Sequence, residues 1–186
     1  MKDDKKCSWC LSTPLYTKYH DKEWGVPSYK DNHHFEHLIL EGAQSGLSWL
    51  TILNKRENYR KAFANFDPQL VAKFGDKDRE RLMNDAGIVR NKLKINSAIH
   101  NAPLFIKIQK EFGSFSNYIW SFVGNKVIDN RPKTFDEVKP ITEESEKLAK
   151  DLKKRGFKFV GPTTIYAHMQ ALGLVNDHLI DCPSRK

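Results

Sequence analysis

The 186-residue sequence predicts an all-α fold of many short helices rather than a long bundle. Two observations carry this. Apolar residues recur at three- and four-residue spacing while strict alternation is almost absent. Capping side chains, helix-opening prolines and closing glycines also punctuate nearly every apolar segment. Asp31 is placed to cap a helix carrying Phe35, Leu38 and Ile39. Ser48 can cap a second, which carries Trp49, Ile52 and Leu53 and runs toward Phe63. Asp67-Pro68 sets a cap before proline at the first helical position, a strong start signal. Asp76 opens a short helix through Leu82 and Met83, and Gly87 stands where it would end. Beyond Asn91 a long helix places Leu93, Ala98, Ile99, Ala102, Phe105 and Ile106 roughly on one face, closed by Gly113. Pro103 inside it predicts a kink or a split. Ser114 starts a short apolar helix with Tyr118, Ile119 and Phe122. Gly124 to Pro140 reads as a long loop, Thr142 caps a helix with Leu148 and Leu152, and Gly161-Pro162 opens the last, through Ile165 and Met169 to Gly173.

Composition bounds what such a fold does. Hydrophobic residues make up 39%, enough for a core, because a chain of this size hides roughly 70% of its unfolded surface. Intrinsic disorder is therefore excluded. The 31 Lys and Arg against 23 Asp and Glu give a net charge of +8. That charge favours a polyanion, most simply nucleic acid, with an ordinary basic cytosolic protein as the alternative. No apolar run reaches the ~20 residues of a membrane helix, and the charged Met1–Lys6 opening does not look like a secretory signal. Three cysteines, Cys7, Cys10 and Cys182, are an odd count, so the expected setting is a reducing cytoplasm with metal-bound or free thiols. One domain spanning 1–186, acting as a monomer, is expected.

Four constellations could carry chemistry. Cys7 with His20, and His178 with Cys182, each have the spacing of half a Cys2His2 zinc site. Joined, they would staple the chain ends together; spacing alone equally allows unrelated residues, with Cys10 a rival to Cys7. His33-His34-Phe35-Glu36-His37 matches the H-x-x-E-H pattern of inverted zinc proteases. It lacks a third ligand, and a solvated helix edge is the preferred reading. Trp9, Tyr16, Tyr19, Trp24 and Trp49 crowd the first fifty residues without helical period. Such rings either sandwich a nucleobase or pack a small core. Glu41, amid them and after an apolar helix face, is a candidate buried carboxylate. Finally, Asp85 to Ile95 has the form of a helix-hairpin-helix around residues 79–100. The second helix's backbone N–H groups, with Gly87 in the turn and Arg90, Lys92 and Lys94 beside it, could hold a phosphate.

Together these segments resemble the 3-methyladenine DNA glycosylase I family of bacteria. The matching pieces run in order from residue 7 to 182. They include Cys7-Ser8-Trp9, Pro14-Leu15-Tyr16, Tyr19-His20-Asp21, Glu23-Trp24-Gly25, Glu41-Gly42 and Gly46-Leu47-Ser48-Trp49. Further on come Lys55 to Tyr59, Asp85-Ala86-Gly87-Ile88, Trp120-Ser121-Phe122, Lys154 to Gly161 and Gly173 to His178, and the last two are long and specific.

The resemblance implies an all-helical helix-hairpin-helix DNA glycosylase with a structural zinc held by Cys7, His20, His178 and Cys182. It implies a base pocket walled by Trp9, Tyr19 and Trp49, with Tyr16 and Glu41 as its polar, catalytic contacts. Gly46-Leu47 matches the segment pushed into the DNA stack. The implied activity is hydrolysis of the N-glycosidic bond of 3-methyladenine in alkylated double-stranded DNA, releasing the free base and leaving an abasic site without lyase action. A zinc-stapled damage-binding module without catalysis is the alternative. Two departures stand out. The hairpin reads Gly87-Ile88-Val89-Arg90, without the second glycine of many superfamily members, and no residue here matches the catalytic aspartate of the wider superfamily.

Overall fold

The computed structural model describes residues 5–185, so residues 1–4 of the charged N-terminal opening lie outside it. The architecture is mostly helical: α1 (Pro14–Lys22), α2 (Asp31–Gln44), α3 (Trp49–Ala62), α4 (Pro68–Val71), α5 (Asp76–Asn84), α6 (Lys92–Phe112), α7 (Phe115–Ser121), α8 (Glu143–Lys154) and α9 (Pro162–Ala171). Two two-residue strands, β1 (Ile128–Asp129) and β2 (Val175–Asn176), pair in parallel, Ile128 with Val175 and Asp129 with Asn176. None of the described helices is long and apolar enough to cross a membrane.

The caps fix most boundaries. Ser48, Asp67, Asn91, Ser114 and Thr142 each accept backbone N–H groups of the turn they open. Asp31 is the exception. It sits inside α2 and reaches across to α7, accepting from the backbone N–H groups of Phe115 and Ser116 at 2.9 Å each. It caps a helix more than eighty residues away, which no local pattern encodes. Helix α1, absent from the periodicity reading, is capped by Thr13 through the Tyr16 N–H and opened by Pro14.

Helix α2 forms the centre of the fold. Every residue from His34 to Ala43 is buried, as expected for a helix packed on all sides; α3, α6, α7 and α9 all lie against it. Helix α6 runs through Pro103 without a break. The ring sits on the exposed side, and Ile95, Ala98, Ile99, Ala102 and Phe105 are buried on both sides of it. A proline costs about 3 kcal/mol inside a helix, and burying several such side chains, at ~1.5–3 kcal/mol each, offsets it. Leu93 does not join this stripe; it is 70% exposed, and Ile95 takes the expected place. The Gly124–Pro140 loop contains β1, which pairs with β2 and so ties the segment before His178 to the body.

Candidate active site and metal centre

The residues that the sequence marks as aromatic come together around one cavity of about 300 Å³. Helix α1 supplies Tyr16 and Tyr19, the short 3-10 turn before it Trp9, helix α2 Glu41, and the first turn of α3 Trp49. All five expected pocket residues line this one cavity. The rings pack at an angle to one another: Trp9 meets Trp24 edge to face at 5.0 Å and lies tilted 4.9 Å from Tyr16, and Tyr19 lies tilted 5.5 Å from Trp49. The walls also include Trp24, Gln44, Phe135, Ala167 and Gln170. Trp24 was legible as part of the aromatic crowd. Phe135 comes from a stretch without period, and Gln170 from a helix with no chemical motif, so neither had a signal.

Glu41 is the one charged residue among the described residues of that lining. It is 5% exposed, and burial pushes its carboxyl up to about 8. Among the described residues its side chain has one hydrogen-bond contact, with His37, whose Nδ1 stands 3.5 Å from Oε1, a loose one. Burial holds that imidazole well below its ordinary value, so it stays neutral. His37 stacks on Trp49, the pocket wall, at 5.8 Å.

The H-x-x-E-H segment is neither a metal site nor a solvated edge. His34 and His37 are buried, with His34 bonded to His168 at 3.2 Å and to the Ser28 carbonyl at 3.0 Å. Glu36 accepts from Arg56 Nε at 2.6 Å and Arg60 Nη2 at 3.0 Å. The histidines and the glutamate are therefore spent on separate partners.

The ligand set sits beside the pocket. Side-chain atoms of Cys7, His20, His178 and Cys182 all lie within 4.8 Å of one another, and all four residues are buried. Cys10 is buried outside the set, a free cysteine. His20 Nε2 stands 3.1 Å from His178 Nδ1, and Cys182 Sγ lies 3.6 Å from each. A tetrahedral zinc, with bonds of about 2.0–2.1 Å to nitrogen and 2.3 Å to sulfur, would set these edges near about 3.3 and 3.6 Å. The outer ring nitrogens support the same reading. His20 Nδ1 faces Asp21 Oδ1 at 2.8 Å, and His178 Nε2 faces the Trp24 carbonyl at 3.0 Å. Those acceptors draw the ring protons outward and leave two lone pairs facing each other across 3.1 Å, which calls for a cation between them. The residues present fit a closed, four-ligand site without an open position. Trp24 packs on His178 at 4.7 Å and Trp9 on His20 at 5.2 Å, so the four-residue cluster supports the pocket wall.

The corner from α5 to α6 departs in detail from expectation. Gly87 is not a left-handed helix stop: no residue from Asp85 to Asn91 has a positive φ. Val89 accordingly needs none of glycine's backbone freedom. Gly87 is required for closeness instead, since a Cβ there would meet Asp85 Oδ1 at 2.9 Å and Asn58 at 3.0 Å. Arg90 and Lys92 are exposed. Lys94 is not available in the same way: its Nζ donates to the carbonyls of Ala43 at 2.7 Å and Ser45 at 2.6 Å. Gly46 has φ +77° in the turn between α2 and α3, and Leu47 projects there with 41% of its surface exposed.

A mostly helical scaffold with a ring-walled cavity, a buried carboxylate in its lining and an exposed basic helix start has the parts that an enzyme acting on a flipped base of DNA calls for. The methyladenine glycosylase family matches residues 9–186, and the chain belongs to that family. It is 47% identical over 178 residues to DNA-3-methyladenine glycosylase 1 of Escherichia coli (strain K12), covering 96% of this chain and 95% of the relative. It is 46% identical to DNA-3-methyladenine glycosylase of Haemophilus influenzae, over 97% of both chains. A solved structure of the Staphylococcus aureus 3-methyladenine DNA glycosylase I, from work on its recognition of 3-methyladenine, superposes with a TM-score of 0.94. It is 39% identical and covers 98% of this chain and 97% of its own.

Proposed function

We propose that this protein is a monofunctional, monomeric DNA-3-methyladenine glycosylase with a structural zinc, working in the cytoplasm. The observation that carries the base specificity is the single cavity formed by Trp9, Tyr16, Tyr19, Glu41 and Trp49. The exposed start of α6, with Arg90 and Lys92, is a helix-hairpin-helix grip for a phosphate of the lesion strand. Gly87 brings the turn close behind it, and Gly46-Leu47 enters the stack as the base leaves.

A methyl group on adenine N3 makes the base a cation and therefore a good leaving group. Electron-rich rings favour such a cation by ~0.5–2 kcal/mol or more once water is excluded. Its charge also draws the Glu41 carboxyl down from its raised value. The ionised oxygen then accepts from the exocyclic amine, while Tyr16 offers its hydroxyl. Neutral adenine leaves Glu41 protonated and loses that gain. In the reaction, water oxygen bonds to the sugar carbon and gives up one proton to solvent, the glycosidic electron pair goes to N9, and the base departs neutral. The positive charge leaves the base in the transition state, so the Glu41 charge selects the lesion more than it accelerates cleavage. The zinc, when bound, supplies no chemistry; it fixes the chain ends that carry Trp9 and Trp24.

Incubation with alkylated duplex DNA tests this. Free 3-methyladenine, abasic sites and intact strands are expected; binding without base release would establish a damage-binding module instead. Arg90→Ala and Lys92→Ala should each weaken DNA binding and flatten the log–log salt dependence by about one unit. An unchanged slope in both variants would remove the corner from the interface.

A further inference from the structure

Lys94 occupies a position that phosphate binding does not explain. Two of its three N–H groups are used within the protein, on the carbonyls of Ala43 at 2.7 Å and Ser45 at 2.6 Å. These belong to the end of α2, where a helix leaves carbonyls without intrahelical partners and where a cation complements the helix dipole. Such caps ordinarily come from nearby residues; this one comes from the first turn of α6. The residues on either side of the link are those assigned to DNA. Lys92 is exposed two positions before Lys94. Gly46 and the projecting Leu47 follow directly on Ser45. The turn is otherwise closed locally, by the Leu47 N–H on the Gln44 carbonyl at 2.6 Å and by Ser48 capping α3. Its backbone needs glycine at Gly46, where φ is +77° and no atom lies within 4 Å of a substituent's position. Helix α2 packs on α6, and α3 is tied to the corner before α6 by Lys55 on the Ala86 carbonyl at 3.0 Å and Asn58 on the Gly87 carbonyl at 3.3 Å; Lys94 adds a direct link from α6 to the turn itself.

We propose that Lys94 is a positioning residue for base extrusion: its ammonium holds the Gly46-Leu47 turn in fixed register with the phosphate-gripping start of α6. Docking of the phosphate then delivers Leu47 to the stack beside the same nucleotide. This rests on the glycosylase reading above, and wild-type excision, measured on the same duplex, tests that reading separately. Most walls of the Glu41 pocket, Trp9, Tyr16, Tyr19 and Trp24, come from the chain before α2; the pocket shares Gln44 with the linked end of α2, but the Gln44 carbonyl stays bonded to the Leu47 N–H, so free-base binding is expected to survive loss of the link.

The experiment compares Lys94→Met and Lys94→Arg with wild type in the full chain. Single-turnover excision from a methylated duplex, affinity for free 3-methyladenine, the salt slope on undamaged duplex and the thermal midpoint are measured. Lys94→Met keeps the stem's length and apolar packing but has no N–H to donate. It is expected to slow excision by about tenfold, the scale of a small misplacement at a site of extrusion, while free-base affinity and the salt slope stay at wild-type values. Lys94→Arg, with donors for both carbonyls, is expected to recover most of the rate. A slope flattened by about one unit would make Lys94 a phosphate contact and overturn the proposal. Equal excision rates, free-base affinity falling in step with excision, or no recovery by arginine would overturn it as well.

Discussion

Removal of the metal centre is expected to cost this protein about as much stability as a large core truncation, roughly 4 kcal/mol. Four buried ligand atoms from both ends of the chain meet within 4.8 Å, and their binding energy is folding energy because the unfolded chain does not hold them together. At a metal concentration a thousandfold above the dissociation constant, the linkage supplies about 4 kcal/mol. For a chain of this length each kcal/mol moves the midpoint by roughly 2–4 °C. Chelation, Cys182→Ala or His20→Ala should therefore lower the thermal midpoint by about 8–16 °C. Metal analysis should find one zinc per wild-type chain, and Cys10→Ala should retain it, since Cys10 lies outside the ligand set. The pocket should loosen along with the centre, because Trp9 and Trp24 pack on the liganding imidazoles. Metal-free protein with an unchanged midpoint would show that the cluster is a packing feature.

Glu41→Gln is expected to separate function from stability. The change keeps size and one acceptor but removes the charge that a cationic base calls up. Loss of a charge-assisted hydrogen bond in a buried site costs about 1.5–3 kcal/mol. Excision of 3-methyladenine at limiting enzyme should fall roughly ten- to a hundredfold, while binding to undamaged duplex stays intact. Trp49→Ala removes a stacking face worth ~1–3 kcal/mol and should weaken free-base affinity as well.

Stability moves the other way. The folded carboxyl titrates near 8 against 4.5 for an ordinary glutamate, so between those values the folded state binds the extra proton. Wild-type stability accordingly falls as pH rises through that window and levels off above it, by an amount of order a few kcal/mol. Glutamine has no such proton to lose. Denaturation of wild type and Glu41→Gln at pH 5 and pH 9 should show the variant gaining relative stability at the higher pH. A difference that does not change with pH would mean that Glu41 is not desolvated in solution. Equal excision rates would leave selection to the aromatic walls alone.

Much of this was readable along the chain. Cap residues and periodicity specify helices locally, through hydrogen bonds and faces that close within one or two turns. Ser48, Asp67, Asn91, Ser114 and Thr142 accordingly open the helices that their positions predict. The family motifs named the rings that line the cavity and the four members of the Cys/His cluster. Spacing alone could not join Cys7 and His20 to His178 and Cys182, because that requires the path of the intervening chain. Four things were decided only by the tertiary structure. Asp31 caps α7 instead of its own helix. Lys94 turns inward onto the end of α2. His34 and His37 of α2 are buried among separate partners. Glu41 holds its proton. Each depends on which distant atoms lie within hydrogen-bond reach and on how completely water is excluded. Both are properties of the packed interior, and neither is encoded at any single position.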